Sequence, residues 1–366
     1  MRRGTLMAVR FNESTGALAG EAVMVVDDVM HSLNMPNTGS ETGIGQYAVS
    51  PRGDLVYARG GEFIGEPTDL VQVLPNGTAK TIALGYPTIV NPSVSPAGDR
   101  IAFSASVSPR SRITALFVHN LLRNVTMKVA DGGVVNWRPL WSADGRSLAF
   151  ESDREDGVSQ VFVVAADGSG RPRRTVHSST GLSLTTWSAS GVFGGVTGGD
   201  IWTAREGEAA RRFFSSPEFE AYPTFSPDGK WIAYSAVKNN RPEVFVRPYP
   251  GPDPAVQVSG AGGAAPAWSS DGRSLYFLNT TSPPSMMRVA VTTTGDITVG
   301  QPATVFAKWQ YRLGTPSRSY DVLRDGSFFG VTTTGGGSQA SYRSRNKVQE
   351  FHVVLNFLTE LRERVR

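Results

Sequence analysis

The polar side chains best placed to contact a ligand occupy one recurring position in the chain. Each lies just before, or at the start of, a predicted strand that runs into a tight turn. The group comprises Asn91, Arg138, Glu218, Glu220, Tyr222 and Arg318. Amide, guanidinium, carboxylate and phenol groups that converge from several repeats can hold a peptide or a small ligand by hydrogen bonds and charge. We therefore predict a ligand- or partner-binding site at these residues.

The sequence contains no recognisable set of residues for bond breaking. The histidines are few and far apart, and the chain has no cysteine, which excludes disulfides, thiolate zinc sites and a cysteine nucleophile. The Gly-x-Ser-x-Gly nucleophile motif and the protein-kinase signatures are also absent from the sequence. We predict that the chain is not an enzyme, has no catalytic residues and uses no cofactor or metal.

An acidic segment at residues 151–156, with the sequence ESDRED, is a candidate for a different role. It follows a predicted strand and occupies the position expected for a loop between strands. Its spacing lacks the glycine of an EF-hand calcium loop. We interpret it as a solvated turn, with a calcium site as the alternative.

The elements that would position these side chains are read from a repeated pattern. The stretch Ala221–Ser235, AYPTFSPDGKWIAYS, alternates apolar and polar residues on both sides of a Ser-Pro-Asp-Gly turn, which predicts two antiparallel strands. Related turns recur 38 to 54 residues apart, with room for two further strands after each. Their glycines are Gly53, Gly98, Gly145, Gly191, Gly229, Gly272 and Gly326. A period of this length with four strands indicates the blades of a propeller.

We therefore predict an all-β fold, a β-propeller of four-stranded antiparallel blades. Seven turns favour seven blades, and six or eight remain open. One domain is expected over residues 1–366, with the strands in 5–26 closing the ring beside 319–357 and a short charged tail over 359–366. Trp141, Trp187 and Trp268 share the position of Phe225 and are predicted to be core residues.

Several stretches resemble the repeats of TolB-like β-propellers, the group with a Pro-Asp repeat. They are WSADGRSLAF, FSPDGKWIAYSA, EVFVRPYPGP and AWSSDGRSLYFL. Three others, GTLMAVRFNESTGALAGEAVMVV, MMRVAVTTTGDITVGQPATVF and FHVVLNFLTELRERV, are similar to propeller regions C-terminal to bacterial serine/threonine protein kinases. The resemblance covers nearly the whole chain and implies a non-catalytic sensor or scaffold module of a signalling protein. The alternative is a propeller-type hydrolase or lactonase that uses channel carboxylates and a divalent metal.

Charge and hydropathy define the expected partners. Lys and Arg number 36 against 32 Asp and Glu, without a basic run, so we expect a protein or peptide partner and no nucleic acid. No stretch approaches the about 18 apolar residues of a membrane span, and no signal peptide is evident as written. We expect a monomer whose location is unknown, and extracytoplasmic if its parent is a membrane-anchored kinase. An upstream kinase or membrane segment missing before Met1 stays open.

Overall fold

The computed structural model describes residues 5–27, 29–33, 41–59, 67–108, 113–155, 157–176, 181–214, 216–251, 254–281, 283–309, 317–333 and 350–364. Nearly all of the regular secondary structure in the described chain is β-strand, which confirms the all-β fold class. Where the sequence predicted one domain over residues 1–366, the chain divides into two compact units. The first unit contains residues 1–65 and 340–366, and the second contains residues 66–339.

The first unit combines short antiparallel sheets with a helix. Its core contains Leu6, Val29, Leu55 and Phe357. The predicted tail over 359–366 begins inside this helix. The elements are β1 (Leu6–Asn12) paired with β2 (Ala17–Val26), β3 (His31–Leu33) paired with β4 (Glu41–Gly45), the sheet of β5 (Tyr47–Val49), β6 (Leu55–Ala58) and β32 (Phe351–Val354), and helix α1 (Phe357–Arg364). No helix in the described ranges has the length and apolar character needed to cross a bilayer.

The second unit consists of antiparallel sheets that we number as blades I to VI in ring order. Blade I contains β9 (Ile89–Val94), β10 (Arg100–Ser106), β11 (Thr114–Asn120) and β12 (Val125–Ala130). Blade II contains β13 (Asn136–Trp141), β14 (Ser147–Ser152), β15 (Gln160–Ala165) and β16 (Arg173–Val176). Blade III contains β17 (Ser183–Trp187), β18 (Val192–Thr197), β19 (Asp200–Arg205) and β20 (Arg211–Arg212).

The remaining blades include a five-stranded sheet and a sheet made from distant parts of the chain. Blade IV contains β21 (Glu220–Phe225), β22 (Trp231–Lys238), β23 (Arg241–Pro248) and β24 (Val256–Gln257). Blade V contains β25 (Ala264–Trp268), β26 (Ser274–Leu278), β27 (Met286–Thr292), β28 (Thr298–Val299) and β29 (Ala303–Phe306). Blade VI contains β30 (Tyr320–Val322), β31 (Phe328–Thr333), β7 (Thr68–Val73) and β8 (Ala79–Ile82).

The first strand of each blade contacts the first strand of the next, and that of blade VI contacts that of blade I. This closed cycle is the arrangement of a propeller. Among the described residues of the second unit it contains six blades, where seven was the preferred prediction and six an alternative. The seventh turn, around Gly53, joins β5 to β6 in the first unit.

The strands that close the ring differ from those predicted. Blade VI is completed by β7, which pairs with β31 in the register Leu70 to Val331. The strands within 5–26 pair with each other, and β32 pairs with β6. An inner position in a blade is covered on both faces, and the nearly continuously buried residues of β7 suit it. The residues of β2 are mostly exposed, so they do not suit an inner position of this kind.

The repeated turns owe their shape to their own side chains. In blade IV, Ser226 Oγ donates to Asp228 Oδ1 at 2.5 Å and accepts from the Trp231 N–H at 3.0 Å. Gly229 has a φ of 70° and closes the turn with its N–H on the Ser226 carbonyl. Glycine suits this left-handed position because it has no Cβ. The same Ser–Asp bonds recur in the turns of blades II and V.

Indole side chains connect neighbouring blades, as the sequence predicted. Trp141 Nε1 donates to the Ser93 carbonyl at 2.9 Å, and Trp268 Nε1 donates to the Thr224 carbonyl at 3.2 Å. Both indoles are buried, so the prediction of core positions is confirmed for them. Trp187 is only partly buried and stacks on Phe193 within blade III at 5.0 Å. Burial of such large side chains stabilises each by about 1.5–3 kcal/mol.

Candidate functional site

The innermost strands share a β-bulge in which a left-handed residue precedes a proline. The bulge breaks the pairing register of the first strand in blades I, II, IV and V. Proline has no N–H to donate, so it suits a bulge on an edge strand. Non-glycine residues seldom adopt positive φ, and each such residue stores about 1–3 kcal/mol. The residues are Asn91, Arg138, Tyr222 and Ala265, with φ of 52°, 53°, 58° and 56°.

A small cavity lies among these inner strands, and we call it the ring cavity. Its volume is about 30 Å³, and its walls come from blades I, II, III and VI. It brings together three of the predicted site residues, Asn91, Arg138 and Arg318. Sequence reasoning missed several other polar residues that line it, including Thr185, Ser317 and Asp321.

Arg138 is committed to a buried ion pair. Its Nη1 lies 2.8 Å from Glu151 Oε2, and its Nε donates to Ser317 Oγ at 3.0 Å. The two ionic side chains are 10% and 4% exposed. Glu151 also accepts from the Leu184 N–H. Burial raises the pKa of the Glu151 carboxyl, and the positive charge of Arg138 opposes that rise. Arg138 therefore connects blades II, III and VI and acts as a positioning residue.

The position of Glu151 also corrects the interpretation of the acidic segment. The residue belongs to strand β14 and is 3% exposed, so the solvated turn begins later than predicted. In the described ranges, no three acidic or histidine side chains are close enough together to hold a metal ion.

Arg318 provides a second charged side chain at the ring cavity. Its Nε donates to the Tyr320 carbonyl at 3.1 Å, and its Nη2 donates to Asp321 Oδ1 at 3.2 Å. The side chains of Arg318 and Asp321 are each 19% exposed. Asp321 Oδ2 accepts from the Val94 N–H of blade I at 2.8 Å. This pair therefore retains some access to solvent while it joins blade VI to blade I.

Asn91 differs from both arginines because its side chain is uncommitted. Its amide forms no hydrogen bond with any residue that the structure describes, although it is half-buried and lines the ring cavity. An amide offers both donors and an acceptor to an entering group. Asn91 is therefore the polar group most available to a ligand at this site.

The other predicted site residues lie away from the ring cavity. Glu218 is exposed, and its carbonyl accepts from Ser216 Oγ at 3.4 Å. Glu220 is fully buried at the first residue of β21, and its carboxylate also accepts from Ser216 Oγ. Burial raises the pKa of Glu220, and its Oε2 lacks a hydrogen-bond partner among the described residues. Tyr222 packs against the core between blades V and VI.

A local signal for this site was present in the sequence. The dipeptides Asn-Pro, Arg-Pro, Tyr-Pro and Ala-Pro occur at the same place in four repeats, at residues 91–92, 138–139, 222–223 and 265–266. A proline inside a strand indicates an edge strand or a bulge. The inter-blade partners Glu151, Ser317 and Asp321 had no comparable signal.

Comparisons with known proteins agree with this fold. No protein-family model matches the chain. The structure of a candidate TolB protein from Agrobacterium tumefaciens superposes with a TM-score of 0.56 at 17% identity, over 73% of this chain and 98% of that one. An oligogalacturonate lyase from Vibrio parahaemolyticus has a TM-score of 0.47 at 10% identity, over 76% of this chain and 75% of that one. The similarity to the Agrobacterium protein thus supports the propeller fold.

A sequence relative corrects one prediction. The chain is 26% identical over 200 residues to the uncharacterised peptidase YuxL of Bacillus subtilis, a match that covers 41% of this chain. It spans 29% of the length of that peptidase. Our prediction that the chain is not an enzyme is contradicted by this similarity.

Proposed function

We propose that the second unit binds a peptide, or a loop of another protein, at the ring cavity. The observation that carries this proposal is the size of the cavity, about 30 Å³. Pockets for small molecules are typically about 300–1,000 Å³, whereas one water requires about 10–15 Å³. The ring cavity is therefore suited to a single inserted side chain or terminal group whose parent chain lies outside it.

The backbone strain around the cavity supports a binding role. Two of the four left-handed non-glycine residues, Asn91 and Arg138, line this cavity, and each stores about 1–3 kcal/mol of strain. Strain of this kind is concentrated at functional sites because it holds groups in place before the ligand arrives. The bulges aim side chains such as Asn91 toward the cavity that they line.

The chemistry of the wall indicates what can enter. Asn91 offers an amide, while Arg318 and Asp321 offer a partly exposed ion pair. Arg138 already bonds Glu151 and Ser317, so its role is to position the inner strands rather than to contact the ligand. A hydrogen-bonding side chain or a chain terminus of a peptide fits this wall, whereas a bulky apolar group does not.

Two settings for this binding activity are proposed. The similarity to a peptidase supports a role in which the propeller binds peptide for hydrolysis by a peptidase of which this region forms part. The three stretches that resemble kinase-associated propellers support a second setting, in which the bound segment is a signal for an attached kinase. Both settings require peptide binding at the same ring.

The proposal is tested by selection of phage-displayed random dodecapeptides on the purified protein. Selected peptides are then measured against Asn91→Gly and Arg318→Gln. Matched controls are Asn124→Gly, an exposed asparagine with the same left-handed φ of 52°, and Arg146→Gln, an exposed arginine outside the cavity.

We expect the two cavity variants to weaken binding about tenfold, because each removes a group that contacts the inserted residue. The two controls should bind as the wild type does. Selection of no peptide, or equal loss in the controls, would contradict the proposal.

A further inference from the structure

A groove between blades V and VI forms a second concave site, and its volume is about 540 Å³. It lies beside the Ser-x-Asp-Gly turn at residues 269–272 and the related turn at 323–326. Strand β29 provides part of its wall through residues 303–305. This volume is within the range of about 300–1,000 Å³ that is typical of small-molecule pockets. We call this site the blade V–VI groove.

The groove results from departures from the repeat that are confined to blade V. Tyr276 occupies the strand position held by Ala102, Ala149 and Ala233 in blades I, II and IV, as counted from the turn glycine. The interval from Gly272 to Gly326 is also the longest in the chain, and it contains the additional strand β29. The inserted strand and the large side chain of Tyr276 both contribute to the wall of the groove.

Several donors in the groove have no partner among the described residues. Tyr276 is 7% exposed, and its hydroxyl forms no hydrogen bond with any described residue. Arg288 Nε donates to Ser274 Oγ at 2.9 Å, which fixes the guanidinium, and its Nη nitrogens have no partner in the described part of the chain. Arg324 also lines the groove, and its guanidinium forms no hydrogen bond or ion pair with a described residue. Burial raises the pKa of Tyr276, so its hydroxyl stays protonated and able to donate.

The carboxylates in the groove are bonded to their own turns. Asp271 Oδ1 accepts from Ser269 Oγ at 2.6 Å and from the Arg273 N–H at 3.0 Å. Asp325 Oδ1 accepts from the N–H and the Oγ of Ser327 at 2.9 and 2.6 Å. The Ser269 bond holds the pKa of Asp271 below its usual value. Asp271 therefore stays negative and disfavours a ligand that carries several negative charges.

We propose that the blade V–VI groove binds a small organic molecule with a single carboxylate. The ligand carboxylate accepts from the Arg288 guanidinium, which presents planar paired donors to a planar acceptor. Arg324 and the Tyr276 hydroxyl provide further donors. The ligand carboxylate can accept from both guanidinium groups, and the nearby aspartates select against dianions such as phosphate.

The test uses the full chain and defined probes. Acetate, hexanoate and benzoate are titrated by ligand-observed NMR beside their neutral amides, acetamide, hexanamide and benzamide. Inorganic phosphate is titrated as a dianion. The variants are Arg288→Gln and Tyr276→Phe, and the matched control is Arg273→Gln, an exposed arginine in the same turn that does not line the groove.

We expect at least one carboxylate to bind about tenfold more tightly than its amide and than phosphate. Arg288→Gln should weaken that binding about tenfold and Tyr276→Phe a few fold, while Arg273→Gln leaves it unchanged. The proposal is overturned if the amides bind equally well, if Arg288→Gln binds as the wild type does, or if no carboxylate binds at about 10 mM. Asn91→Gly should not affect carboxylate binding, so this test is independent of the ring cavity.

Discussion

The ring cavity and the blade V–VI groove contain the same kinds of side chain but differ in size and in hydrogen bonding. The ring cavity has a volume of about 30 Å³, and the groove has about 540 Å³. In the ring, Arg138 is paired with Glu151 and Tyr320 Oη donates to the Ala265 carbonyl at 2.5 Å. In the groove, Tyr276 and the Nη groups of Arg288 have no partner among the described residues.

Arginine and tyrosine side chains of the repeated blades thus have two different roles, one structural and one in ligand binding. In the ring cavity, arginine and tyrosine side chains bond to neighbouring blades and stabilise the closed ring. The space left between them is large enough only for a single inserted group. Where one blade departs from the repeat, the same residue types stay unpaired around a larger space. The comparison predicts that ring variants affect stability and that groove variants affect ligand binding.

The largest difference is expected between two arginine variants. Arg138→Ala leaves Glu151 buried without its cation, and removal of one partner of a buried pair costs about 3–5 kcal/mol. Arg288→Ala removes an exposed side chain, and its effect should stay within about 0.5 kcal/mol. Urea denaturation followed by circular dichroism measures both free energies of unfolding. Equal losses in the two variants would show that the Arg138–Glu151 pair contributes no more to stability than the exposed Arg288 side chain.

A pH-dependent effect is expected at Glu220, at the start of the innermost strand of blade IV, which unlike Glu151 forms no ion pair with a described residue. Burial raises the pKa of Glu220 in the folded state, so its contribution to stability is lost as the pH rises through that value. The free-energy advantage of Glu220→Gln over wild type should therefore grow with pH above the unfolded pKa, by up to about 1.4 kcal/mol per pH unit. It should level off above the folded pKa.

Urea denaturation of both proteins between about pH 4 and pH 8 measures this effect. Glu218→Gln is the control, because Glu218 is exposed nearby. A Glu220→Gln curve parallel to that of wild type at every pH would show that the Glu220 carboxyl has the same pKa in both states.

A smaller contrast is expected between two tyrosines. Tyr320→Phe removes a buried hydrogen bond and leaves the Ala265 carbonyl unpaired, which costs about 1 kcal/mol. Tyr276→Phe removes an unpartnered hydroxyl, so its free energy of unfolding should equal or slightly exceed that of wild type. Thermal denaturation of the two variants distinguishes these results. A loss of about 1 kcal/mol in Tyr276→Phe would mean that its hydroxyl is already bonded.

The sequence predicts the blades well because their turns are local. Ser226, Asp228 and Gly229 lie within four residues and determine the hairpin through their own bonds and a positive φ. The spacing of these turns then indicates the propeller. Ring closure was predicted with the wrong partner strands because the pairing of Leu70 with Val331 joins distant parts of the chain, and no local signal marks it.

The candidate site was predicted in part for the same reason. Asn91 and Arg138 were found because they precede the repeated turn at a regular distance. Asp321 and Glu151 were missed because their roles depend on contacts with other blades. Strand alternation also buries Glu220, whose neighbours in sequence suggested an exposed rim. Local periodicity thus identifies strands, whereas prediction of a site formed by several blades requires knowledge of how the blades pack together.

Entry of a peptide into the ring cavity can be tested by site-specific photo-crosslinking. A small diazirine-bearing amino acid, close in size to asparagine, replaces Asn91 in one protein and Asn124, which has the same backbone conformation outside the cavity, in another. Each protein is irradiated with the selected dodecapeptide and analysed by mass spectrometry. We predict a peptide adduct at position 91 and none at position 124. Adducts at both positions, or none at position 91, would contradict binding at the ring.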